Sequence, residues 1–203
     1  VNVAPNYVAD NTPRSDGDRG TGILFNALHT WPVMDIYDPA TGELTYFNRF
    51  PANTGNIFAY PNWVRSAEEI TNETKVFNIL ANTYVEWKPI KGLSLKSTFN
   101  AEIRNSSYFF FNPSTATAQI NVAIPTVAVS IRDDNQDLTW LNENIATYDW
   151  SRNDHTFQIL GGFSNQQFRR DRTRVQGDTY ADDRLPTIQG ALNINRGGTI
   201  SDV

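Results

Sequence analysis

The sequence contains no cysteine, which excludes disulfide bonds, thiolate metal ligands and a thiol nucleophile. Histidine is nearly absent as well: His29 and His155 are far apart, so a histidine-rich metal site is not expected. The chain lacks an uninterrupted apolar run of about 18 residues, the length a transmembrane helix requires. Basic residues are few, since 17 Lys and Arg stand against 22 Asp and Glu, and the net charge of -5 argues against a nucleic-acid partner.

Aromatic residues are plentiful by contrast. They make up 12% of the chain although the hydrophobic share is only 39%, which favours a surface-rich or barrel protein over a thick soluble core. The chain opens Val1-Asn2-Val3-Ala4-Pro5, without an initiator Met or the basic and apolar segments of a signal peptide. We therefore expect a piece of a longer protein.

Turn-forming residues dominate residues 1–74, which we expect to be a long loop region with short extended pieces. Asp16-Gly17-Asp18 lies there and lacks the remaining ligands of a calcium loop. One helical turn is predicted at residues 66–70, with Ser66 as the cap and Glu69 three residues later.

Four segments then alternate apolar and polar side chains with period two, which predicts β-strands. Tight turns at residues 88–92 and 151–154 join them into two hairpins, within 75–104 and 138–169. Residues 105–137 and 170–203 are expected to be loops, with a possible short strand at 122–131. The predicted strands are residues 75–89, 93–104, 138–150 and 156–169.

The alternation also predicts two faces of one antiparallel meander. The apolar face should carry Phe77, Ile79, Val85, Trp87, Leu93, Leu95, Phe99, Ile103, Phe157, Ile159 and Phe163. The opposite face should carry Asn78, Asn82, Glu86, Lys96, Asn100, Glu102, Glu143 and Gln158.

Short turns at one end and long loops at the other are typical of an outer-membrane β-barrel. Trp87, Tyr148 and Trp150 lie beside the short turns, where such barrels carry an interfacial aromatic girdle. The expected fold class is therefore all-β, a section of a transmembrane barrel of about four long strands. A soluble β-sandwich, serving adhesion or glycan binding, remains the alternative because it also alternates.

Several motifs carry a family resemblance. They are the acidic-Ile/Thr-Asn stretch at residues 69–75, the strand ending in Glu86-Trp87, the turn Ile90-Lys91-Gly92-Leu93, the strand 140–148, His155 after its turn, the Leu160-Gly161-Gly162-Phe163-Ser164 strand, and the preceding loop 27–42. In this order they resemble the SusC/RagA family of TonB-linked outer-membrane proteins, over roughly residues 22–168.

The resemblance implies a fragment of a nutrient importer in the outer membrane of a Gram-negative, Bacteroidetes-like cell. It implies outer-membrane lipid, a SusD-like surface lipoprotein, the TonB complex and a glycan or peptide substrate as partners. The family's plug domain and energy-coupling residues have no counterpart in this sequence. The loop regions would be extracellular.

Catalytic motifs are missing: no Gly-x-Ser-x-Gly nucleophile elbow occurs, and we expect neither an enzyme nor a cofactor. The adjacent acidic pairs Glu68-Glu69, Asp133-Asp134 and Asp182-Asp183 are expected to be solvated surface. The run from Arg169 to Arg174 is expected at a solvated strand end, with lipid A phosphates as a possible contact. Among the loop aromatics, the candidate substrate contacts are Trp31, Tyr37, Tyr60 and Trp63.

Overall fold

A single six-stranded antiparallel sheet forms most of the chain. The computed structural model describes residues 1–10, 22–49, 59–117 and 123–202. The strands lie in the order β1-β5-β6-β7-β8-β9, each neighbouring pair antiparallel. Their bounds are Asn2–Asp10 (β1), Thr71–Trp87 (β5), Leu93–Asn112 (β6), Val129–Arg152 (β7), His155–Tyr180 (β8) and Ala191–Asp202 (β9).

The predicted meander of four long strands is confirmed as β5 to β8, but the strands extend well beyond the alternating segments. Residues 105–112, 129–137 and 170–180, which we expected to be loop, are strand. The apolar run at 122–131 forms no separate strand among its described residues, since only residues 129–131 are extended and they begin β7. The extensions lack the alternation by which a half-buried strand is recognised, because β6 carries consecutive aromatic residues at 108–111 and β7 and β8 carry charged residues on both faces.

Two further strands flank the predicted four. β1 pairs with β5 along its whole length, and β9 pairs with the loop end of β8. Pro5 in β1 and Gly197-Gly198 in β9 are residues that strands usually avoid. Both segments are extended because a neighbouring strand offers backbone partners, a tertiary effect that local propensity does not reveal.

The backbone register confirms the predicted division into two faces. Ile79 pairs with Ile103, Ile103 with Leu138, and Tyr148 with Ile159, so the apolar residues of successive strands lie on one side. The same register groups Glu86 with Lys96 and Glu102 with Thr139 on the other side. We call these the apolar face and the polar face.

The apolar face is largely uncovered. Several of its residues are exposed in the described structure: Phe77, Val85, Trp87, Phe99, Phe157, Ile159 and Phe163, the last by 68%. A soluble sandwich would bury this face under a second sheet. The second sheet of this chain instead packs with the two short helices of the loop region.

Two amides interrupt the apolar face near its middle. Asn142 donates to the Thr98 carbonyl at 3.1 Å, and Asn144 donates to the Asn142 side-chain oxygen at 2.6 Å. These bonds within the sheet reduce the cost of placing amides in an apolar environment.

A short turn at residues 88–92 joins β5 to β6. Gly92 has φ 87°, a conformation that favours glycine. Its carbonyl accepts a 2.8 Å hydrogen bond from the backbone N–H of Asp149 on the neighbouring strand. A Cβ at Gly92 would lie 2.2 Å from the Asp149 carbonyl oxygen, so this turn leaves no room for a side chain.

The loop region contains a small subdomain of short elements. It has two helices and a three-stranded sheet of order β2-β3-β4. Their bounds are Ile23–His29 (α1), Asp35–Tyr37 (β2), Leu44–Arg49 (β3), Ala59–Pro61 (β4) and Trp63–Glu69 (α2), and a 3₁₀ turn follows β8 at Ile188–Gly190. No helix in the described part of the chain is long and apolar enough to cross a membrane.

The predicted helix is present, but its predicted start is wrong. Asn62 caps α2 by accepting from the backbone N–H groups of Val64 and Arg65. Ser66 lies inside the helix and is buried, and its hydroxyl donates to the Thr117 carbonyl at 2.7 Å. Ser and Asn are both good caps, so the choice between them depended on where the helix packs.

Candidate functional site

The loop region contains a cleft of about 840 Å³. It lies between the β2–β3 hairpin, α2 and the connection between β6 and β7. Ring faces, carboxylates and a guanidinium surround it, a mixture that suits a polar organic ligand. Its lining residues include Asp38, Glu43, Tyr46, Phe47, Arg65 and Ile124.

Arg65 forms one wall of the cleft and is held by several acceptors. Its guanidinium donates to Glu69 at 2.7 Å, to the Leu44 carbonyl at 2.5 Å and to the Thr45 carbonyl at 3.3 Å. The same group lies over the Tyr46 ring, 4.7 Å from its centroid. The spacing of Arg65 and Glu69, four apart on a helix, was a signal that could have identified this pair.

Asn62 fixes α2 against the small sheet. The side chain is 1% exposed, and its amide donates to the carbonyls of Ile36 at 2.8 Å and Thr45 at 2.9 Å. Its oxygen caps the helix at the same time. One buried amide therefore joins α2, β2 and β3, and it sets the position of Arg65 in the cleft.

Two carboxylates join the loop segments to one another. Glu69 of α2 accepts a 2.6 Å hydrogen bond from Thr115 in the β6–β7 connection. Asp183, in the connection after β8, accepts from the Ser114 backbone N–H at 2.7 Å and from its hydroxyl at 2.6 Å. The three loop segments are thereby tied together above the long ends of the strands.

We expected the acidic pairs to be solvated surface, but the structure shows that this expectation is wrong for three of their residues. Glu69 and Asp183 are half-buried hydrogen-bond acceptors, and Asp133 is only 7% exposed. Asp182 pairs with Arg184 at 2.6 Å. Hydrogen bonds from Arg184 lower the pKa of Asp182 to about 2, so this carboxylate stays ionised at any ordinary pH.

The four predicted aromatic contacts take different positions. Trp31 and Tyr37 are 60% and 57% exposed, whereas Tyr60 and Trp63 are half-buried on either side of Asn62. The Tyr60 ring lies 5.9 Å from the ring of His29 on α1. None of the four lines the cleft, where Tyr46 and Phe47 are the aromatic residues.

The basic run on β8 is divided between the two faces of the sheet. Arg169 lies on the apolar face and pairs with Asp171 at 3.0 Å. Arg170, Arg172 and Arg174 lie on the polar face, where Arg170 pairs with Asp137 at 2.8 Å and Arg172 with Asp133. A lipid contact stays a prediction for Arg169 alone, because alternate residues of a strand point to opposite faces.

Asp133 is a nearly buried carboxylate that pairs with Arg172. Hydrogen bonds from Arg172 lower the pKa of Asp133, although partial burial opposes the shift. Its carboxylate therefore remains ionised below the pH at which an ordinary aspartate protonates.

A metal centre is not apparent: in the described ranges no group of three His, Asp or Glu side chains could hold an ion. His155 stands beside its turn, 6.5 Å from the Phe157 ring. Asp16-Gly17-Asp18 lies outside the described residues.

Comparisons with known proteins agree with this architecture, although no family model matches the chain. Over 158 residues, 78% of its length, the chain is 28% identical to TonB-dependent receptor P3 of Formosa agariphila, of which it covers 15%. Solved structures of the RagAB peptide importer share its fold in both the closed-closed and open-open states. Their TM-scores are 0.65 and 0.64 at 16% identity, covering 98% of this chain and 22% of those chains.

The chain thus spans less than a quarter of each of these proteins. The solved structures share the antiparallel β-fold, so the predicted all-β class is confirmed. In sequence the chain is thus similar to a TonB-dependent receptor, and in fold it is similar to the RagAB peptide importer.

Proposed function

We propose that this chain forms part of the wall and the extracellular loops of an outer-membrane importer that takes up glycans or peptides. The observation that carries the proposal is the uncovered apolar face of the six-stranded antiparallel sheet, whose opposite side is the polar face. Lipid covers such a face in a barrel, and the polar face then lines the interior.

The ends of the strands support an orientation. The connections at residues 88–92 and 153–154 are short, and the opposite ends carry the connections 113–128 and 181–190 and the small subdomain. Outer-membrane barrels keep short turns on the periplasmic side and long loops outside the cell. The cleft and the tied loops then face the medium from which cargo arrives.

Strand length agrees with this placement. β7 and β8 have 24 and 26 residues, although about 9–11 tilted residues cross a bilayer. The surplus lies toward the loops, where the apolar face carries Arg132, Asp134 and Asp171 instead of apolar residues. The strands therefore continue beyond the hydrocarbon into the space outside the cell.

The full-length protein would act with partners that this chain does not include. We propose a SusD-like lipoprotein over the loops and a TonB complex that supplies energy, with a plug domain elsewhere in the protein. Trp31 and Tyr37 expose enough ring surface to stack on cargo. Tyr60 and Trp63 remain proposed contacts, reached from the rim of the subdomain.

Uptake by whole cells tests the proposal. The gene for the full-length protein is deleted in its own bacterium, and cells are given fluorescent oligopeptides or fluorescent oligosaccharides. We expect uptake of one probe class to fall on deletion and to fall equally when TonB is removed. Uptake of both classes that is independent of the gene and of TonB would contradict transport.

A further inference from the structure

We propose that four arginines of the polar face bind anionic groups, carboxylate or sulfate, on the transported cargo. Arg104, Arg170, Arg172 and Arg174 form this arginine patch. The inference rests on the proposed function, because the polar face lines the interior only when the sheet is part of a barrel.

The backbone register brings the four side chains together. Arg104 on β6 lies opposite Asp137 on β7, which lies opposite Arg170 on β8. Arg172 and Arg174 follow on the same face of β8, since side chains alternate along a strand. Arginines from two strands therefore flank the aspartates of the strand between them.

Only two carboxylates on these three strands form ion pairs with the patch in the described structure. Asp137 pairs with Arg170 at 2.8 Å, and Asp133 pairs with Arg172. Arg104 and Arg174 make no ion pair with any residue that the structure describes, and both side chains are exposed. Two of the four guanidinium groups are thus paired with described carboxylates, and Arg104 and Arg174 contribute positive charge on a chain whose net charge is -5.

Among the described side chains, the other acidic residues of the polar face form no ion pair with Arg104 or Arg174. Asp178 accepts from the Asn193 amide at 3.0 Å, and Asp202 on β9 lies opposite Arg170 in the backbone register. Glu102 is the next residue on the same face of β6, but its carboxylate accepts from the Asn78 amide at 3.3 Å instead of pairing with Arg104. Asp10 also lies on the polar face, on β1, which is two strands away from β6.

The position of the patch suits incoming cargo. Arg104 follows Ile103, the last aliphatic residue of β6, and Arg170 to Arg174 lie at the same level or closer to the loops. At this level the apolar face carries charged residues, so the patch lies beyond the hydrocarbon on the loop side. Cargo that enters between the loops would reach these arginines before the membrane-spanning part of the wall.

The chemistry of the patch selects its ligand. A guanidinium offers paired N–H donors whose geometry matches the two oxygens of a carboxylate or sulfate. Arg170 and Arg172 are held by aspartates, while Arg104 and Arg174 can each take a cargo anion. A neutral cargo would gain nothing from the charge.

Calorimetric titration of the full-length protein tests this. Two probe pairs are used: a glutamate-rich hexapeptide with its glutamine counterpart, and an oligogalacturonate with a neutral maltooligosaccharide. The test variant carries Arg104→Gln and Arg174→Gln, which leaves no aspartate without its partner. The control, Arg169→Gln, removes one charge from the opposite face of the same strand.

We expect the anionic member of one pair to bind more tightly than its neutral counterpart, and the pair that shows this identifies peptide or glycan as the source of the anion. The double variant should weaken that binding about tenfold or more, because two charge-assisted contacts are lost. Neutral probes and the Arg169→Gln control should change less than about twofold.

Equal losses for anionic and neutral probes, unchanged anionic binding in the double variant, or no preference for either anionic probe would overturn the patch. TonB-dependent uptake that shows no such preference would leave the proposed function intact and overturn this inference alone. Uptake that does not depend on TonB would instead contradict the proposed function.

Discussion

Arg172 on β8 pairs with Asp133 on β7 along a diagonal, although the backbone register places Arg174 directly opposite Asp133. The residue opposite Arg172 is Asn135, which offers no charge. The carboxylate of Asp133 therefore pairs with Arg172 and not with Arg174. Arg174, which stands across from it, is left exposed and without an ion pair in the described structure.

Replacing Asp133 with asparagine should strengthen binding of an anionic cargo. The substitution keeps a side chain of similar shape but releases Arg172, so the excess of the patch grows by one charge. We expect about a threefold gain in affinity for the anionic probe, and a smaller gain at high salt, where exposed charges are screened. A loss of affinity as large as that of the arginine double variant would contradict the patch.

Replacing Phe99 with arginine in the full-length protein should impair membrane assembly. Phe99 lies on the apolar face, where a cation near the bilayer midplane costs about 2–4 kcal/mol. Asn100→Arg places the same charge on the polar face of the same strand and serves as the control. The measurement is the amount of folded barrel in outer-membrane fractions; equal amounts for both variants would mean that the faces are misassigned.

Replacing Gly92 with alanine should reduce folding of the barrel, whereas Gly161→Ala should not. Alanine at Gly92 must adopt a positive φ, which costs about 1–2 kcal/mol, and its methyl group would meet the Asp149 carbonyl oxygen. Gly161 has no atom within 4 Å of the position a Cβ would take. The thermal midpoint of each purified variant checks this, and a Gly92→Ala midpoint equal to that of Gly161→Ala would count against the tight turn.

Replacing Asn62 with alanine should loosen the loop subdomain and leave the sheet intact. The change removes a helix cap, worth about 1 kcal/mol, and strands buried carbonyl groups. Asn62→Asp keeps the capping oxygen but loses the amide donors, so its effect isolates the bonds to Ile36 and Thr45. Hydrogen exchange of α2 and β3 should rise in both variants; unchanged exchange in Asn62→Asp would show that only the cap matters.

The sequence predicted the strands where one face is apolar. In β5 to β8 the period-two pattern identified both hairpins and assigned every named residue to its face. It did not predict β1, β9 or the long strand extensions. There the alternation is interrupted, by Pro5 in β1, by Gly197-Gly198 in β9 and by consecutive aromatic or charged residues in the extensions. Backbone pairing with a neighbour, invisible in a local pattern, decides the structure of these segments.

The candidate site was predicted less well than the strands. The aromatic composition pointed to the loops, but the cleft depends on Asn62 and Arg65, which act through buried contacts with residues distant in the chain. The arginine run was visible in the sequence. The division of the run between two faces, and the position of Arg104 near it, could be found only from the register of β6, β7 and β8.

Labelling of cysteine variants in intact cells tests most directly that this sheet crosses the outer membrane with its long loops outside. Leu185, in the connection after β8, and Ile90, in the short turn, are each 60% exposed. A difference in labelling between the two positions therefore reports the side of the membrane and not burial within the chain. A membrane-impermeant maleimide should label Leu185→Cys in intact cells and Ile90→Cys only after the outer membrane is permeabilised. Labelling of both, or of Ile90→Cys alone, in intact cells would contradict the account.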